Sequence, residues 1–386
     1  MDSILSSHHR RLRDIAEEIT RDAIAPSATQ VDADAAWPAH SMKAVAEAGL
    51  LGLHVPKRLG GHEQGLLALA VVSETIARGC SSSALCFAMH CVGSAVITAK
   101  ATPLHEERYL GPIAAGLHIT TLALSESGTG AHFYYPQTKL TRDGDGFIVE
   151  GTKQFITNGG HADSYVISTQ ASEPRAAGDF TCLVLDHGTE GLDWLEPWKG
   201  FGMRGNASRG LSLDGIRVPA ANLLGEEGDQ GWYVFEVVAP YFLIAMAGTY
   251  VGVAQAALDL TLSHLAQRTY AHSGEALGQA PLIQHKVAEL YAEVTKTRGL
   301  VYNAALLGDT GAAGATVAIM LAKADAGDTA VRVANEAMTL CGGMAYRDNG
   351  HLGRLLRDAR ASHVMAPTTD LLKTWAGRAL LGQPIL

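Results

Sequence analysis

The spacing of apolar residues divides the chain into three parts of different character. In the first part they recur every three or four positions, as on one face of a helix. Five segments show this spacing, namely residues 11–25, 42–48, 66–78, 82–98 and 105–110. Pro26 and Gly49 stand directly after two of them, where residues that end helices are common. The first part is therefore predicted to be helical, with a loop rich in glycine and proline over residues 49–61.

Short β-rich runs replace the helical pattern between Leu117 and Pro219. They read ITTLALS, GFIVEG, SYVIST, FTCLVLD and LSLDGIRV, and turn residues separate them. Strands at intervals of roughly 8 to 12 residues, with few helical patterns between them, are typical of an antiparallel sandwich or barrel. We therefore predict an antiparallel β-domain in the middle of the chain.

Helical spacing returns after the β-rich runs. It covers residues 231–266, 282–307, 312–340 and 370–381. Residues 237–258 carry no charge and are long enough to cross a bilayer, but Pro240, Gly248 and the lack of a basic flank favour a helix buried in a bundle. The predicted fold is α+β, with a helical N-terminal domain at 1–116, a β-domain at 117–228 and a helical bundle at 229–386.

Composition and charge exclude several classes of function. The chain is 47% hydrophobic and 18% charged, as expected of a globular protein with a sizeable core. A formal net charge of -9 argues against a nucleic-acid binder, because phosphate binding needs clustered Lys and Arg. The five cysteines show no CxxC pair, and the 16 histidines show no paired ligand spacing. We therefore predict no metal site and favour a reducing cytoplasm.

One glycine motif has two interpretations. Gly200, Gly202 and Gly205 form the pattern Gly-x-Gly-x-x-Gly, which binds dinucleotides when it follows a strand and opens a helix. Here β-rich runs stand on both sides of the motif and no helical pattern follows it. A turn is therefore favoured over a dinucleotide site.

Five sequence blocks in a fixed order are more informative. They are LALSESGTGA (122–131), GTKQFITNGGHADSYVI (151–167), GFGMRGNASRGLSLDGIRVP (200–219), CGGMAY (341–346) and RDAR (357–360). Together with GLLGLHVPKRLGG at 49–61, they resemble the acyl-CoA dehydrogenase family over nearly the whole chain. The resemblance implies a helical N-terminal domain, a central β-domain and a C-terminal four-helix bundle. It also implies FAD held between the β-domain and the bundle, usually within a homotetramer.

The resemblance also implies a set of flavin-binding positions. Leu124 and Ser125 stand beside the flavin pyrimidine edge, Phe155 covers the ring where Trp is common, and Thr157 bonds the N5 region. The other implied positions are Gly130, Arg268, Gly342, Gly343, Thr368 and Asp370. Arg268 is expected to reach the FAD pyrophosphate of a neighbouring subunit. Phe155, Arg268 and the glycine pair also have a structural interpretation, as a core residue, a surface ion pair and a helix stop.

The chain departs from the family pattern at the catalytic base. Members place a Glu either in the C-terminal loop or on the first helix of the bundle, and these places are taken here by Ala366 and Phe242. Ala131 replaces a Ser that often contacts the substrate thioester, and His132 replaces an acidic residue at the substrate entrance. Proton abstraction needs a positioned base, so these replacements put the usual chemistry in doubt.

Three other side chains are candidates for handling a proton. Tyr241 neighbours the vacant helix position, His90 lies on the helix that lines the acyl cavity in the family, and His132 stands at the entrance. Histidine titrates in a suitable range, whereas tyrosine needs a perturbed pKa to act as a base. For each of them the alternative is a satisfied polar group on a packed helix or loop.

Three functions remain open from the sequence. The first is α,β-dehydrogenation of a CoA or carrier-protein thioester with a relocated base and an electron-transfer partner. The second is a flavin-dependent monooxygenase or other flavin reaction, which would suit a site lined by His90 and the aromatic run 133–135 without a carboxylate. The third is a flavin-binding protein without turnover.

Overall fold

Helices, a pair of β-sheets and further helices follow one another along the chain. A computed structural model describes residues 4–173, 175, 178–348 and 350–385. The N-terminal helices are α1 (Ser7–Ile19), α2 (Ala25–Asp34), α3 (Ala39–Glu47), α4 (Leu66–Gly79), α5 (Ser81–Ala99), α6 (Pro103–His105) and α7 (Gly111–Ala114). The loop after α3 begins at Gly49, whose φ of 74° lies in the left-handed region, so the predicted helix end is confirmed there.

The first helix does not end before Pro26, so this expectation was wrong. A π-helical turn, Thr20–Ile24, joins α1 to α2, and the chain stays helical to Asp34. Pro26 falls in the first turn of α2. The missing N–H of proline is tolerated at such a position, since it is not needed for an intrahelical hydrogen bond. The helix ends instead at Ala35, which adopts a left-handed conformation.

The β-domain consists of two four-stranded sheets. Its strands are β1 (Thr120–Ala123), β2 (Lys139–Asp143), β3 (Gly146–Ile156), β4 (Ser164–Thr169), β5 (Thr181–Asp186), β6 (Leu192–Pro197), β7 (Arg209–Pro219) and β8 (Leu223–Leu224). One sheet has the order β1-β4-β5-β8 and the other β2-β3-β7-β6. All the strand pairs are antiparallel except β1 with β4, which run parallel with Thr120 opposite Ser164. Val149, Ile167 and Leu213 belong to the core that the two sheets share.

The C-terminal region is again helical. It contains α8 (Gln230–Trp232), a π-helical segment Tyr233–Val238, α9 (Ala239–Gln267), α10 (Pro281–Asp309), α11 (Ala315–Cys341), α12 (His351–Val364) and α13 (Thr369–Leu380). The prediction did not include α12, because only Leu352, Leu355 and Ala359 form an apolar stripe among many charged residues. The glycine motif at 200–205 forms a turn between β6 and β7, as favoured from the sequence. The Met203 N–H donates to Asp358 of α12 over 2.5 Å.

Two helices, α5 and the one spanning Tyr233–Gln267, are apolar and long enough to cross a membrane, but most of each is buried inside the protein. Close packing explains the burial of the second. A Cβ atom on Gly248 would lie 2.5 Å from the Ala70 carbonyl oxygen, and one on Gly252 would overlap Glu74 of α4. Because these glycines lack a side chain, α9 lies directly against α4 and its N-terminal end is fixed in position.

We predict that Gly248→Ala destabilises the protein by about 1–3 kcal/mol, because the added methyl group must push apart two packed helices. Gly377→Ala is the matched control, since a Cβ atom there would meet nothing within 4 Å. That control should stabilise α13 by about 0.5–1 kcal/mol. Chemical denaturation of both variants measures the difference, and equal stabilities would contradict the close approach of α4 and α9.

Candidate active site

A buried ion pair fixes the loop that follows β1. Lys153 is fully buried, and its ammonium donates to Glu126 over 2.6 Å and to the Ser168 carbonyl over 2.5 Å. Glu126 also accepts hydrogen bonds from Thr138 and from the Gln137 N–H. Burial alone would raise the pKa of Glu126, but the charge and hydrogen bonds of its partners outweigh burial and hold the pKa below the ordinary value. The carboxylate therefore stays charged and ties the loop to β3.

This ion pair brings four of the predicted flavin positions together. Leu124 and Ser125 precede Glu126, and the Ser125 carbonyl accepts the N–H of Gln154 over 2.7 Å. The Thr121 hydroxyl donates to the carbonyl of Thr157 over 2.9 Å. The segment holding Leu124 and Ser125 thus lies beside the segment holding Phe155 and Thr157.

Phe155 has the features of a cofactor contact rather than of a core residue. Its φ of 54° is a left-handed conformation that a bulky residue rarely adopts. The ring is 56% exposed and meets only the edge of Trp198, with centroids 5.8 Å apart. An exposed aromatic ring beside backbone and hydroxyl hydrogen-bonding groups fits a planar flavin. The residues present therefore fit the implied FAD.

The remaining predicted flavin positions lie outside the two segments that hold Leu124, Ser125, Phe155 and Thr157. Arg268 ends α9, is exposed and donates to the Thr269 carbonyl over 2.7 Å. Gly342 and Gly343 follow α11, and Cβ atoms on them would meet nothing within 4 Å, which leaves an open backbone surface. Thr368 caps α13 by accepting the Leu371 N–H, and exposed Asp370 lies in the first turn of that helix. Exposed Gly130 lies in the loop after β1 and has a left-handed φ of 55°.

His90 does not have the surroundings of a catalytic base. The side chain is fully buried, its Nδ1 accepts the Thr120 N–H over 3.1 Å, and its Nε2 lies 3.0 Å from the Leu51 carbonyl. Burial lowers the pKa of His90 to about 4. Both nitrogens are used to join α5 to neighbouring segments, so the structural interpretation of His90 replaces the catalytic one.

Tyr241 is also unsuited to accept a proton. Burial, assisted by Asp309 and Cys91, raises the pKa of Tyr241 to about 12. Its ring meets the edge of His54, with centroids 4.8 Å apart. A phenol with a raised pKa stays protonated at neutral pH unless a partner takes its proton. Tyr241 also lies outside the walls of the cavity described next, so we do not retain it as the base.

An apolar cavity lies where α9, α11 and α13 meet the loop after β1. Its volume is about 40 Å³, and the groove around it is open to solvent. Among its walls are Phe133, Tyr134, Leu243, Met320, Leu372 and Trp375. None of the lining residues within the described part of the chain carries a charged side chain. Such a cavity suits an apolar group of a small molecule.

Sequence neighbours of both positions where the family carries its base line this cavity. Pro367 lines it directly after Ala366, while Pro240 and Leu243 line it on either side of Phe242 in the sequence. These residues come from distant parts of the chain and converge on this cavity. The described walls nevertheless offer no carboxylate there.

A second buried lysine holds the loop with Ala366. Lys323 of α11 is fully buried, and its ammonium donates to the carbonyls of Ser362, Met365 and Pro367 over 2.8, 3.2 and 2.9 Å. Burial lowers the pKa of Lys323 to about 8, against the opposing charge of Asp328. The three acceptors satisfy the three N–H groups of the ammonium, so this lysine fixes the cavity wall.

The residues after the first loop divide between the cavity and the surface. Phe133 and Tyr134 line the cavity, whereas Tyr135 is 60% exposed and does not line it. The predicted substrate contact Ala131 is half-buried. His132 is exposed, and its Nδ1 lies 2.6 Å from the Tyr134 hydroxyl. His132 thus contacts the wall residue Tyr134 without lining the cavity itself.

Sequence reasoning missed Glu126, Lys153 and Lys323. The first two lie inside the blocks that carry the family resemblance, and Lys323 is an isolated charge in the apolar run AIMLAKA. A lysine in such an apolar run is expected to be buried and therefore to need hydrogen-bond acceptors, so the sequence could have identified Lys323. As for metals, no group of three or more His, Cys, Asp or Glu residues in the described ranges could hold an ion.

We predict that Lys153→Met destabilises the protein by about 3–5 kcal/mol and lowers its FAD content, because Glu126 is left buried without its counter-charge. The double variant Glu126→Gln/Lys153→Met should recover part of this loss, since no uncompensated charge remains. Chemical denaturation and flavin absorbance measure both effects. A single variant as stable as the wild type would show that the ion pair does not fix the loop.

Two of the buried histidines, His54 and His90, predict a dependence of stability on pH. Burial lowers the pKa of both His54 and His90 from 6.5 to about 4. Between these values the unfolded chain binds protons that the folded protein does not, so stability falls as pH falls from 6.5 to 4. The slope is about 1.4 kcal/mol per pH unit for each imidazole at most.

Denaturant unfolding of the wild type and of His90→Gln across this pH range tests the effect. The variant should lose part of the slope, whereas His40→Gln, at an exposed position, should keep the wild-type slope. An unchanged slope in His90→Gln would contradict the assignment of His90 as a neutral core residue.

Comparison with known proteins gives a consistent result over the whole chain. Models of the acyl-CoA dehydrogenase N-terminal, middle and C-terminal domains match residues 6–117, 121–216 and 229–381. Two enzymes of Geobacter metallireducens are similar. The cyclohex-1-ene-1-carbonyl-CoA dehydrogenase is 30% identical over 98% of this chain and 99% of its own. The cyclohexane-1-carbonyl-CoA dehydrogenase is 31% identical over 97% of this chain and 98% of its own.

A solved structure agrees with these sequence relatives. Butyryl-CoA dehydrogenase from Megasphaera elsdenii superimposes with a TM-score of 0.92 at 26% identity and covers 99% of this chain and 100% of its own. The helical, β and helical regions, and the fit of the loops to FAD, are those the resemblance implied. The chain therefore belongs to the acyl-CoA dehydrogenase family and is an FAD-dependent oxidoreductase.

Proposed function

We propose that this protein oxidises an acyl thioester with an apolar acyl group by α,β-dehydrogenation. The observation that carries the proposal is the uncharged cavity, whose walls include the sequence neighbours of both family base positions. FAD, when bound, supplies the acceptor for the two electrons and the β-hydrogen. The residues of this chain hold the acyl group, exclude water and position the loops around the reacting carbons.

The walls of the cavity favour an alicyclic or branched acyl group. Leu243, Met320 and Trp375 offer apolar surface, and each buried CH₂ group contributes about 0.8 kcal/mol to binding. A carboxylate on the acyl group would lose its hydration without gaining a counter-charge from the described walls. The named substrates of the Geobacter metallireducens relatives, cyclic acyl thioesters of CoA, have the chemistry that such a cavity accepts.

Oxygenation by the same flavin site is a second candidate. Ala366 and Phe242 place no acidic side chain at the usual base positions, and the walls around them are apolar and aromatic. A dry cavity of this kind would protect an oxygen-reactive flavin from solvent. Supplying reduced flavin and oxygen separates the two functions, because peroxide release without an oxygenated product favours dehydrogenation.

We further propose a homotetramer in the cytoplasm that passes its electrons to a partner protein. Arg268 supports the assembly, because it lies 25 residues after Leu243 along α9, or about 37 Å at 1.5 Å per residue. That distance and the exposure of Arg268 support a contact between Arg268 and the FAD of a second copy. The open backbone of Gly342 and Gly343 is assigned to the same contact.

Anaerobic mixing with acyl thioesters tests the proposed reaction. We expect cyclohexane-1-carbonyl-CoA or butyryl-CoA to bleach the flavin absorbance band of the purified protein, with formation of the α,β-unsaturated product. A protein that retains FAD but is not reduced by cyclic, branched or linear thioesters would contradict dehydrogenation.

A cavity-filling variant tests where the acyl group binds. We predict that Leu243→Phe raises KM for the cyclic thioester about tenfold or more, because the larger ring occupies the acyl volume. Leu262→Phe on the same helix is the matched control, since Leu262 is 39% exposed. FAD content and melting temperature check that both variants fold. Equal KM values would place the substrate elsewhere.

A further inference from the structure

One ionisable side chain lines the apolar cavity. Among the lining residues that the structure describes, only Tyr134 carries an acidic or basic group. The Tyr134 side chain is buried, and its ring packs near Phe133 and Trp375, with centroids 5.6 and 6.3 Å away. Burial and the neighbouring Tyr135 raise the pKa of this phenol, so it needs a partner that takes its proton. A reaction that removes a proton within this cavity therefore has one wall residue able to exchange it.

Tyr134 is connected to the surface by a histidine. Its hydroxyl oxygen lies 2.6 Å from Nδ1 of His132, and the two rings meet edge to face at 88°. With the imidazole proton on Nε2, Nδ1 accepts the hydrogen bond that the phenol donates. A hydroxyl bonded to an imidazole is the arrangement by which proteins activate weakly acidic hydroxyl groups. Since His132 is exposed, it can release a proton to water.

We propose that Tyr134 is the catalytic base of the dehydrogenation and that His132 accepts the phenolic proton during the same step. This inference rests on the proposed function and names the group that replaces the missing Glu. It differs from the candidates His90 and Tyr241, since neither of those lines the cavity. His132 acts through Tyr134 and is therefore a positioning residue.

The atoms and electrons of the step balance. The α C–H bond breaks, and its proton bonds to the Tyr134 oxygen while the phenolic proton moves to Nδ1 of His132. The electron pair of that bond becomes the second bond between the α and β carbons. The β-hydrogen leaves with its electrons to FAD, the oxidant. His132 then loses one proton to solvent, and both side chains return to their starting forms.

Lys323 does not compete for this role. Its ammonium lies behind the cavity wall, where it donates to three backbone carbonyls. An ammonium has no lone pair to accept a proton. Removing that proton would leave the carbonyls of Ser362 and Pro367 without their donor, at a cost of about 1–3 kcal/mol for each buried group.

Two variants and a control test the proposal in the FAD-loaded protein. Tyr134→Phe keeps the ring that lines the cavity and removes the hydroxyl. We expect it to slow anaerobic flavin reduction by cyclohexane-1-carbonyl-CoA about 100-fold or more, with KM unchanged within about twofold. His132→Gln should slow the step about tenfold or more, again with KM unchanged. The control Tyr135→Phe changes an exposed neighbour and should keep the wild-type rate.

The possible results of these experiments distinguish a wrong base assignment from a wrong proposed function. Reduction of the Tyr134→Phe variant at the wild-type rate would overturn the base assignment and leave dehydrogenation intact. If that variant does not retain FAD, His132→Gln decides, and a wild-type rate or a change confined to KM overturns the proposal. A wild-type protein that no thioester reduces would overturn the proposed function and the base assignment with it.

Discussion

The buried ion pair between Lys153 and Glu126 in the β-domain is the interaction on which the predicted flavin-binding loops depend. It holds the loop after β1 against the strand that ends near Phe155. Because both charges are removed from water, neither can be lost without leaving the other unpaired. That constraint fixes Ser125 and Phe155 relative to each other before any cofactor binds. The contacts around Phe155 hold its backbone in the left-handed conformation.

The loop beside the helical bundle is also held by a buried lysine, but here backbone carbonyls accept its hydrogen bonds. Lys323 uses backbone carbonyls to fix the loop through Ala366 and Pro367, and its charge is turned away from the cavity. The site therefore has buried charges around it and apolar walls inside. The loop through Pro367 forms a wall of the cavity, and in the proposed reaction the proton leaves through Tyr134 and His132.

Much of this could be predicted from the sequence, because ordered motifs carry the fold. The five ordered blocks, from 122–131 to 357–360, predict the family, the FAD and the three-part architecture, while the domain boundaries at 116 and 228 remain predictions. Local sequence patterns were less informative where tertiary contacts determine the ends of a helix or the role of a side chain. Pro26 entered a helix because a π-helical turn precedes it, and α12 was missed because its apolar stripe is narrow. From the sequence His90 was a candidate base, but in the structure its two ring nitrogens contact the backbone of Leu51 and Thr120.

The placement of the acyl group in an uncharged cavity can be measured directly. A crystal structure of the FAD-loaded protein, soaked anaerobically with cyclohexane-1-carbonyl-CoA, would show the ring and the atoms around its α-carbon. We expect the ring to lie between Leu243, Met320 and Trp375, with the Tyr134 hydroxyl nearer to the α-carbon than any carboxylate. Density for the ring outside this cavity, or an Asp or Glu side chain in contact with the α-carbon, would contradict our interpretation.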